Sequence, residues 1–427
     1  YIILQNAYPD TFIAIDPDIT FNYLGEFGQE GNYGFFISEV KKSRDKDVTN
    51  AFRTPITINS MIINKKYHME VTYEINIFSK EYVTELINYF LRELANIIEV
   101  CLEITGQIKT PSDFGEIGWS FEELQYVTQN CEKNGKKIVE INYLTPMQES
   151  MLYHKRLYPN SSEYIVQVDL AVDKEIQTAI LYEALNYMAK YHGSLRANIF
   201  YTGVNEPREV VFDQVVYENT VYDYSMNGNS EYMIAMIKKQ DIQRGFDLEN
   251  EALLRMAVCK QADGMRVIIT FHHIILDGWS CMLLIDELFK NYERFLLGSS
   301  FESKYENMQG LYGKYLKQKD KKEAYEYWKK LLSNYTEPCK IKATGHPDKV
   351  DKDTPGKVEI YLDNDLKRKL TSFIHNHALS LNTVIETVWG LILGAYTRND
   401  DIIFGKVVSG RNVDISGIDT SLGMYIN

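Results

Sequence analysis

The sequence predicts an α/β protein in which helices cover small sheets. Three observations carry this. Segments such as Tyr164 to Val172 (YIVQVDLAV) alternate with period two, as half-buried strands do. Longer segments with apolar residues at helical spacing lie between the strands, which argues for layered α/β architecture rather than a bundle or a barrel. The composition is globular, with 45% hydrophobic and 25% charged residues. The length of 427 residues allows roughly three units.

The elements follow in order. Tyr1 to Leu4 reads as strand, as do Ile19 to Leu24 (ITFNYL), Met61 to Asn64 and His68 to Phe78. Ser79 caps a helix through Thr105, with Leu86, Phe90, Leu94 and Ile97 among its apolar positions. Gly106 to Lys137 is polar and reads as a transition with a short helix near Glu122. A new unit opens at Leu144-Thr145-Pro146, where Pro146 suits the first turn of a helix. After the strand at Tyr164 come a helix (Ile176 to Tyr191), a strand (Ser194 to Tyr201) and a helix (Tyr232 to Gln243). Two strands, Leu253 to Lys260 and Met265 to Phe271, lead to an amphipathic helix from Ser280 to Leu297 and a lysine-rich helix from Lys314 to Leu332. Strands at Lys357 to Leu362 and Asp401 to Val408 flank helices at Asp363 to His377 and Asn382 to Arg398. Both chain ends lie in apolar stretches and read as cut from something longer.

A net charge of −13 argues against nucleic acid or an anionic membrane as partner. No apolar run is long enough to span a bilayer and no signal peptide is seen. The five cysteines contain no CxxC, so neither a disulfide framework nor a zinc site is signalled, and reduced thiols in a cytoplasmic protein are expected. His375 and His377 lack carboxylate or cysteine company, and no metal is expected there.

The chemistry concentrates in FHHIILDGWS, Phe271 to Ser280. His272 and His273 stand at the carboxyl end of a strand, where successive side chains face opposite ways. One histidine therefore turns inward and the other can face a cleft, as a group that handles protons near neutral pH. Asp277 can shape the loop or orient the histidine, and Asp277-Gly278 turns the chain into the next helix.

HHIILDG resembles the HHxxxDG motif of nonribosomal peptide synthetase condensation domains. The context is similar in order and spacing: LTPMQESMLYH (Leu144 to His154), YHGSLRANIF (Tyr191 to Phe200), RGFDLENEALLRMAV (Arg244 to Val258), YGKYL and AYEYWKKLL (Tyr312 to Leu332), and DIIFGKVVSGRNVDISGIDTSLGMYIN (Asp401 to Asn427). DITFNYLGEFG (Asp18 to Gly28) and TPSDFG resemble the tail of an epimerization domain. Tyr191 departs from the family's usual Arg in the second motif, while Arg196 remains.

The resemblance implies two-layer sandwich lobes like those of chloramphenicol acetyltransferase, paired as a V. It divides the chain into an epimerization tail (1–125), a linker (126–140), an N-terminal lobe (141–310) and an incomplete C-terminal lobe (311–427). It implies amide formation between a donor thioester and an aminoacyl thioester acceptor. Both are carried on phosphopantetheine arms by upstream and downstream carrier domains, next to an adenylation domain, with no cofactor bound by this chain. His273 would act on the acceptor amine, with His272 structural, Asp277 and Gly278 shaping the loop, and an Arg196–Asp277 ion pair. Trp279, Ser280 and Ser409 would line the substrate channel. The domain order implies a D-configured donor joined to an L acceptor. A non-catalytic platform and a simple HxxxD acyltransferase are the alternatives.

Overall fold

The computed structural model describes residues 17–27, 54–63, 65–103, 109–115, 117–226, 228–299, 307–335, 339–341 and 357–427. The strand expected at Tyr1 to Leu4 lies outside them. The chain divides into two compact units, Tyr1–Ile108 and Lys109–Asn427.

In the first unit, β1 (Ile19–Phe27), β2 (Ile56–Ile63) and β3 (Lys66–Tyr73) precede the long helix α1 (Lys80–Glu103). β1 runs parallel to β2, and β2 antiparallel to β3. The third strand ends earlier than its alternation suggests. Ile77 and Phe78 both donate their amides to the Glu74 carbonyl, which closes a turn in place of a ladder. Ser79 caps α1 by accepting from the Tyr82 amide at 3.1 Å.

The second unit begins before the expected boundary at residue 125. Helix α2 (Phe121–Lys133) starts in a Ser120–Glu123 capping box, and its Leu124, Val127 and Cys131 pack against Ile141, Val210 and Phe212. The segment expected as a linker is thus part of a core. Strand β4 (Ile138–Tyr143), helix α3 (Pro146–Leu157), strand β5 (Ile165–Val172) and helix α4 (Thr178–Tyr191) follow. A 3-10 turn at Gly193–Arg196 leads to β6 (Ala197–Phe200), β7 (Arg208–Phe212) and β8 (Glu218–Asp223). Next come α5 (Ser230–Arg244), β9 (Leu254–Gln261), β10 (Gly264–His272) and α6 (Gly278–Leu296). The remaining helices are α7 (Met308–Lys317), α8 (Lys321–Leu331), α9 (Asn364–Asn376) and α10 (Leu381–Thr397).

These strands form two sheets, one of order β5-β10-β9-β8 and one of order β4-β7-β6. All pairings are antiparallel except β8 with β9. Alternation sorts the larger sheet into two faces. Met256, Val258, Val267 and Ile269 pack with Leu185 of α4 and Leu284 of α6 in the main core. Ala257, Cys259 and Ile268 face Ile234 and Ile237 of α5. The α/β class read from the sequence is the class observed.

The lysine-rich helix is two helices, α7 and α8, because Asp320 accepts from the Lys322 and Glu323 amides and starts a new one. The strands expected at Lys357 to Leu362 and Asp401 to Val408 join no sheet among the described residues. Instead, Val408 and Asn427 exchange two backbone bonds and Ser409 bridges Ile426, so the chain end folds back on itself. Apolar side chains on α8 and α10, such as Trp328, Ile385 and Tyr396, are exposed.

Leu185 is fully buried between α4 and the sheet. Leu185→Ala is expected to destabilise the second unit by about 2–5 kcal/mol. All four tryptophans, Trp119, Trp279, Trp328 and Trp389, lie in that unit. Denaturation followed by tryptophan fluorescence therefore reads it alone, and an unchanged midpoint would remove Leu185 from the core.

Candidate active site

The site is built where β10 runs into α6. His272 ends β10 opposite Ile165 of β5 and is 1% exposed, its ring edge-on to Phe246. Its Nδ1 accepts from the Ile274 amide at 3.1 Å, so that nitrogen is unprotonated and the ring is neutral. Burial holds its pKa down at about 3, and Lys155 and His273 push the same way.

His273 is half-buried. Its amide donates to the Tyr164 carbonyl at 2.7 Å. Tyr164 holds a left-handed backbone with φ 65°, an unusual conformation for a bulky residue and one that aims this carbonyl at the histidine. The imidazole Nδ1 is buried without a hydrogen-bond partner among the described residues. With Nδ1 enclosed, Nε2 is the ring nitrogen left for a substrate.

Asp277 does not orient His273. It is 1% exposed and caps α6, its Oδ1 accepting from the Ser280 amide at 2.7 Å. Oδ2 accepts from the Tyr425 amide at 3.1 Å, and the Asp277 amide donates to the Gly423 carbonyl at 3.0 Å. Its ion partner is Arg411, at 3.3 Å, and not Arg196. Arg196 is buried elsewhere and donates to the carbonyls of Ala189 (2.8 Å) and Phe212. The expected Arg196–Asp277 pair is thus corrected to Arg411–Asp277. Arg196 instead satisfies the Ala189 carbonyl in the last turn of α4 and the Phe212 carbonyl at the end of β7.

Arg411 is the residue that the sequence analysis passed over. It also donates to the Ser421 carbonyl at 2.9 Å, to the Ile418 carbonyl and to Ser280 Oγ at 2.7 Å, and it stacks on the Tyr425 ring. The available signal was its place as the sole basic residue between Lys406 and Asn427. Gly410 and Gly423 permit this packing. A Cβ on Gly410 would collide with the Tyr312 hydroxyl and the Tyr425 carbonyl, and one on Gly423 with the Gln309 side chain.

The expected channel residues separate. Ser280 is fully buried, donates to the Gly423 carbonyl at 2.8 Å and accepts from the Gly423 amide at 3.0 Å, so it lines no channel. Trp279 is 57% exposed and donates to the Asp419 carbonyl at 3.0 Å. Ser409 is exposed and accepts from the Arg411 amide. Gly278 faces open space.

A separate cavity of about 310 Å³ is lined by Asn142, His192, Glu209, Glu287, Gln309 and Leu422, among others, and by no residue of the histidine loop. His192 and Glu287 pair across it at 2.9 Å. Glu209 is 1% exposed and accepts from Asn142 at 3.0 Å and from Gln148 at 3.5 Å. Burial pushes its carboxyl up to about 7 against these hydrogen bonds. No group of three or more potential metal ligands occurs among the described residues, and no single helix among them is long and apolar enough to cross a membrane.

Two measurements check this account. Asp277→Ala leaves Arg411 and the Tyr425 amide without their partner in the interior, and is expected to cost about 3–5 kcal/mol of stability; a loss below ~1 kcal/mol would show that the contact is not a buried pair. An unfolded histidine takes up a proton below 6.5, while folded His272 does so only near 3. Stability therefore falls as the pH drops through that window. His272→Asn keeps an acceptor for the Ile274 amide and is expected to flatten this acid limb of the melting temperature; an unaltered limb would assign it to other groups.

Comparisons with known proteins place this geometry. Residues 139–427 match the condensation domain family. The chain is 30% identical over 428 residues to bacitracin synthase 3 of Bacillus licheniformis, covering 97% of this chain and 7% of that protein. It is 29% identical over 420 residues to bacitracin synthase 1 of the same organism, covering 97% of this chain and 8% of that one. It thus spans under a tenth of the length of these relatives. Two solved structures share the fold. The first condensation domain of the calcium-dependent antibiotic synthetase aligns with a TM-score of 0.55 at 17% identity, covering 68% of this chain and 67% of that one. The epimerization domain from the third module of tyrocidine synthetase B aligns with a TM-score of 0.58 at 17% identity, covering 68% of each chain. With its histidine pair between strand and helix, the chain belongs to the condensation domain family of nonribosomal peptide synthetases.

Proposed function

We propose that the second unit joins two carrier-bound thioesters by an amide bond. The observation that carries this is the half-buried His273, fixed by its backbone just after β10, within a chain that belongs to the condensation domain family. In the reaction the acceptor amine attacks the donor thioester carbonyl. A C–N bond forms, the C–S bond breaks, and the donor phosphopantetheine leaves as a thiol that takes the proton lost by the amine. His273 Nε2 accepts a hydrogen bond from the attacking amine and holds it in line.

The local electrostatics favour positioning over full proton transfer. Asp277 is spent on Arg411, Ser280 and Tyr425, so it offers no carboxylate to an imidazolium at His273. Positioning two reactants alone removes much of the barrier. Upstream and downstream carrier domains and a neighbouring adenylation domain are the partners. The donor is D-configured and the acceptor is L. Support for this comes from the segment Ile19–Leu24, which resembles the end of an epimerization domain and precedes the histidine motif in the chain.

The test uses the protein of the complete reading frame, with carriers loaded with D or L donors and an L acceptor, and mass spectrometry of the tethered product. Amide from the D donor alone, lowered by ~10²-fold in His273→Ala with unchanged melting, is expected. Equal use of L donors would overturn the stereochemical assignment. No amide from any pair, despite binding of both carriers, would overturn the reaction.

A further inference from the structure

We infer that Gln148 is a positioning residue of this site: its amide group fixes the carbonyl that follows His273, and so the direction of the His273 ring. The inference rests on the condensation reaction proposed above.

The ring of His273 has no side-chain hydrogen-bond partner at Nδ1 among the described residues, and Asp277 points elsewhere. Among hydrogen bonds, those of its backbone are therefore the ones that fix where its side chain starts. That backbone is held on both sides. The His273 amide is bonded to Tyr164, and its carbonyl accepts from the Leu276 amide at 3.3 Å. At the next residue, the Ile274 amide goes to His272 Nδ1, and the Ile274 carbonyl accepts from Gln148 Nε2 at 3.0 Å. Every contact in this clamp is made by backbone or by His272 except the last, which one side chain supplies from another element.

Gln148 is fully buried on the first turn of α3. Its orientation is determined by its partners. Oε1 accepts from the Thr145 amide at 2.9 Å, and an amide can only donate, so Nε2 must face Ile274. Gln309 donates to the same Oε1 at 3.4 Å and holds the Met424 backbone, and Glu209 takes a second bond from Nε2. Gln148 thus links the first motif, the histidine loop and α7, and through Gln309 the returning chain end. An unpaired buried Ile274 carbonyl would turn to find another donor and carry His273 with it.

The experiment compares wild type with Gln148→Glu and with the double variant Gln148→Glu/Glu209→Gln, in the protein of the complete reading frame. Single-turnover amide formation, carrier affinity and melting temperature are measured across pH. In Gln148→Glu an oxygen replaces the donor facing Ile274, and a carboxylate faces Glu209. The expected result is a rate ~10²-fold lower, with carrier affinity unchanged and with partial recovery at acid pH, where the new carboxyl can donate. The double variant restores a donor–acceptor pair between positions 148 and 209 but not the bond to Ile274. It is expected to recover the melting temperature and not the rate. Recovery of both would show that Gln148 only completes a buried network, and would overturn the inference. A wild type that binds both carriers yet forms no amide would overturn the reaction itself, and with it the role of Gln148.

Discussion

The structure of the site depends on one buried carboxylate. Asp277 starts α6, receives the Tyr425 amide and meets the guanidinium of Arg411. A charge in the interior is tolerated only when its hydrogen-bonding capacity is filled and a counter-charge is near. Satisfying Asp277 therefore requires the segment from Ser409 to Tyr425 to lie against the start of α6. Arg411 carries the same demand outward to Ser280, Ile418 and Ser421. The aspartate of the histidine motif is thus a builder of the site, which binds a distant part of the chain to the loop bearing the histidines.

A consequence is the division of labour within that motif. His272 is kept neutral by burial and serves as an acceptor for the loop's own backbone. His273 is left as the less buried of the two histidines. Its placement comes from main-chain bonds, one of them to a tyrosine in a left-handed conformation. Such a site suits the proposed amide formation, where alignment of the reactants can supply much of the acceleration.

Much of this was legible in the sequence. The strands at Tyr164 and Met265 and the helices around them followed from periodicity, and the two histidines were read as facing different ways because strand side chains alternate. What failed did so for physical reasons. Strands β4, β7 and β8 are short and flanked by polar residues, so no period stood out. The short helix expected near Glu122 is present, but its place in a core was hidden, because its buried stripe is only Leu124, Val127 and Cys131. The Arg411–Asp277 pair spans 134 positions, and being the sole basic residue of its segment does not say which carboxylate Arg411 meets; Arg196 was the nearer candidate by motif. The roles of Gln148 and Glu209 exist only once β7, α3 and the loop are brought together.

The most direct measurement is the single-turnover rate of amide formation by Asp277→Asn, normalised to its folded fraction and set beside that of His273→Ala. If Asp277 builds the site and does not act on the histidine, the folded fraction of Asp277→Asn retains a rate well above that of His273→Ala. A normalised rate as low as that of His273→Ala, from protein that is fully folded, would contradict this and make Asp277 a partner of His273 in the chemistry.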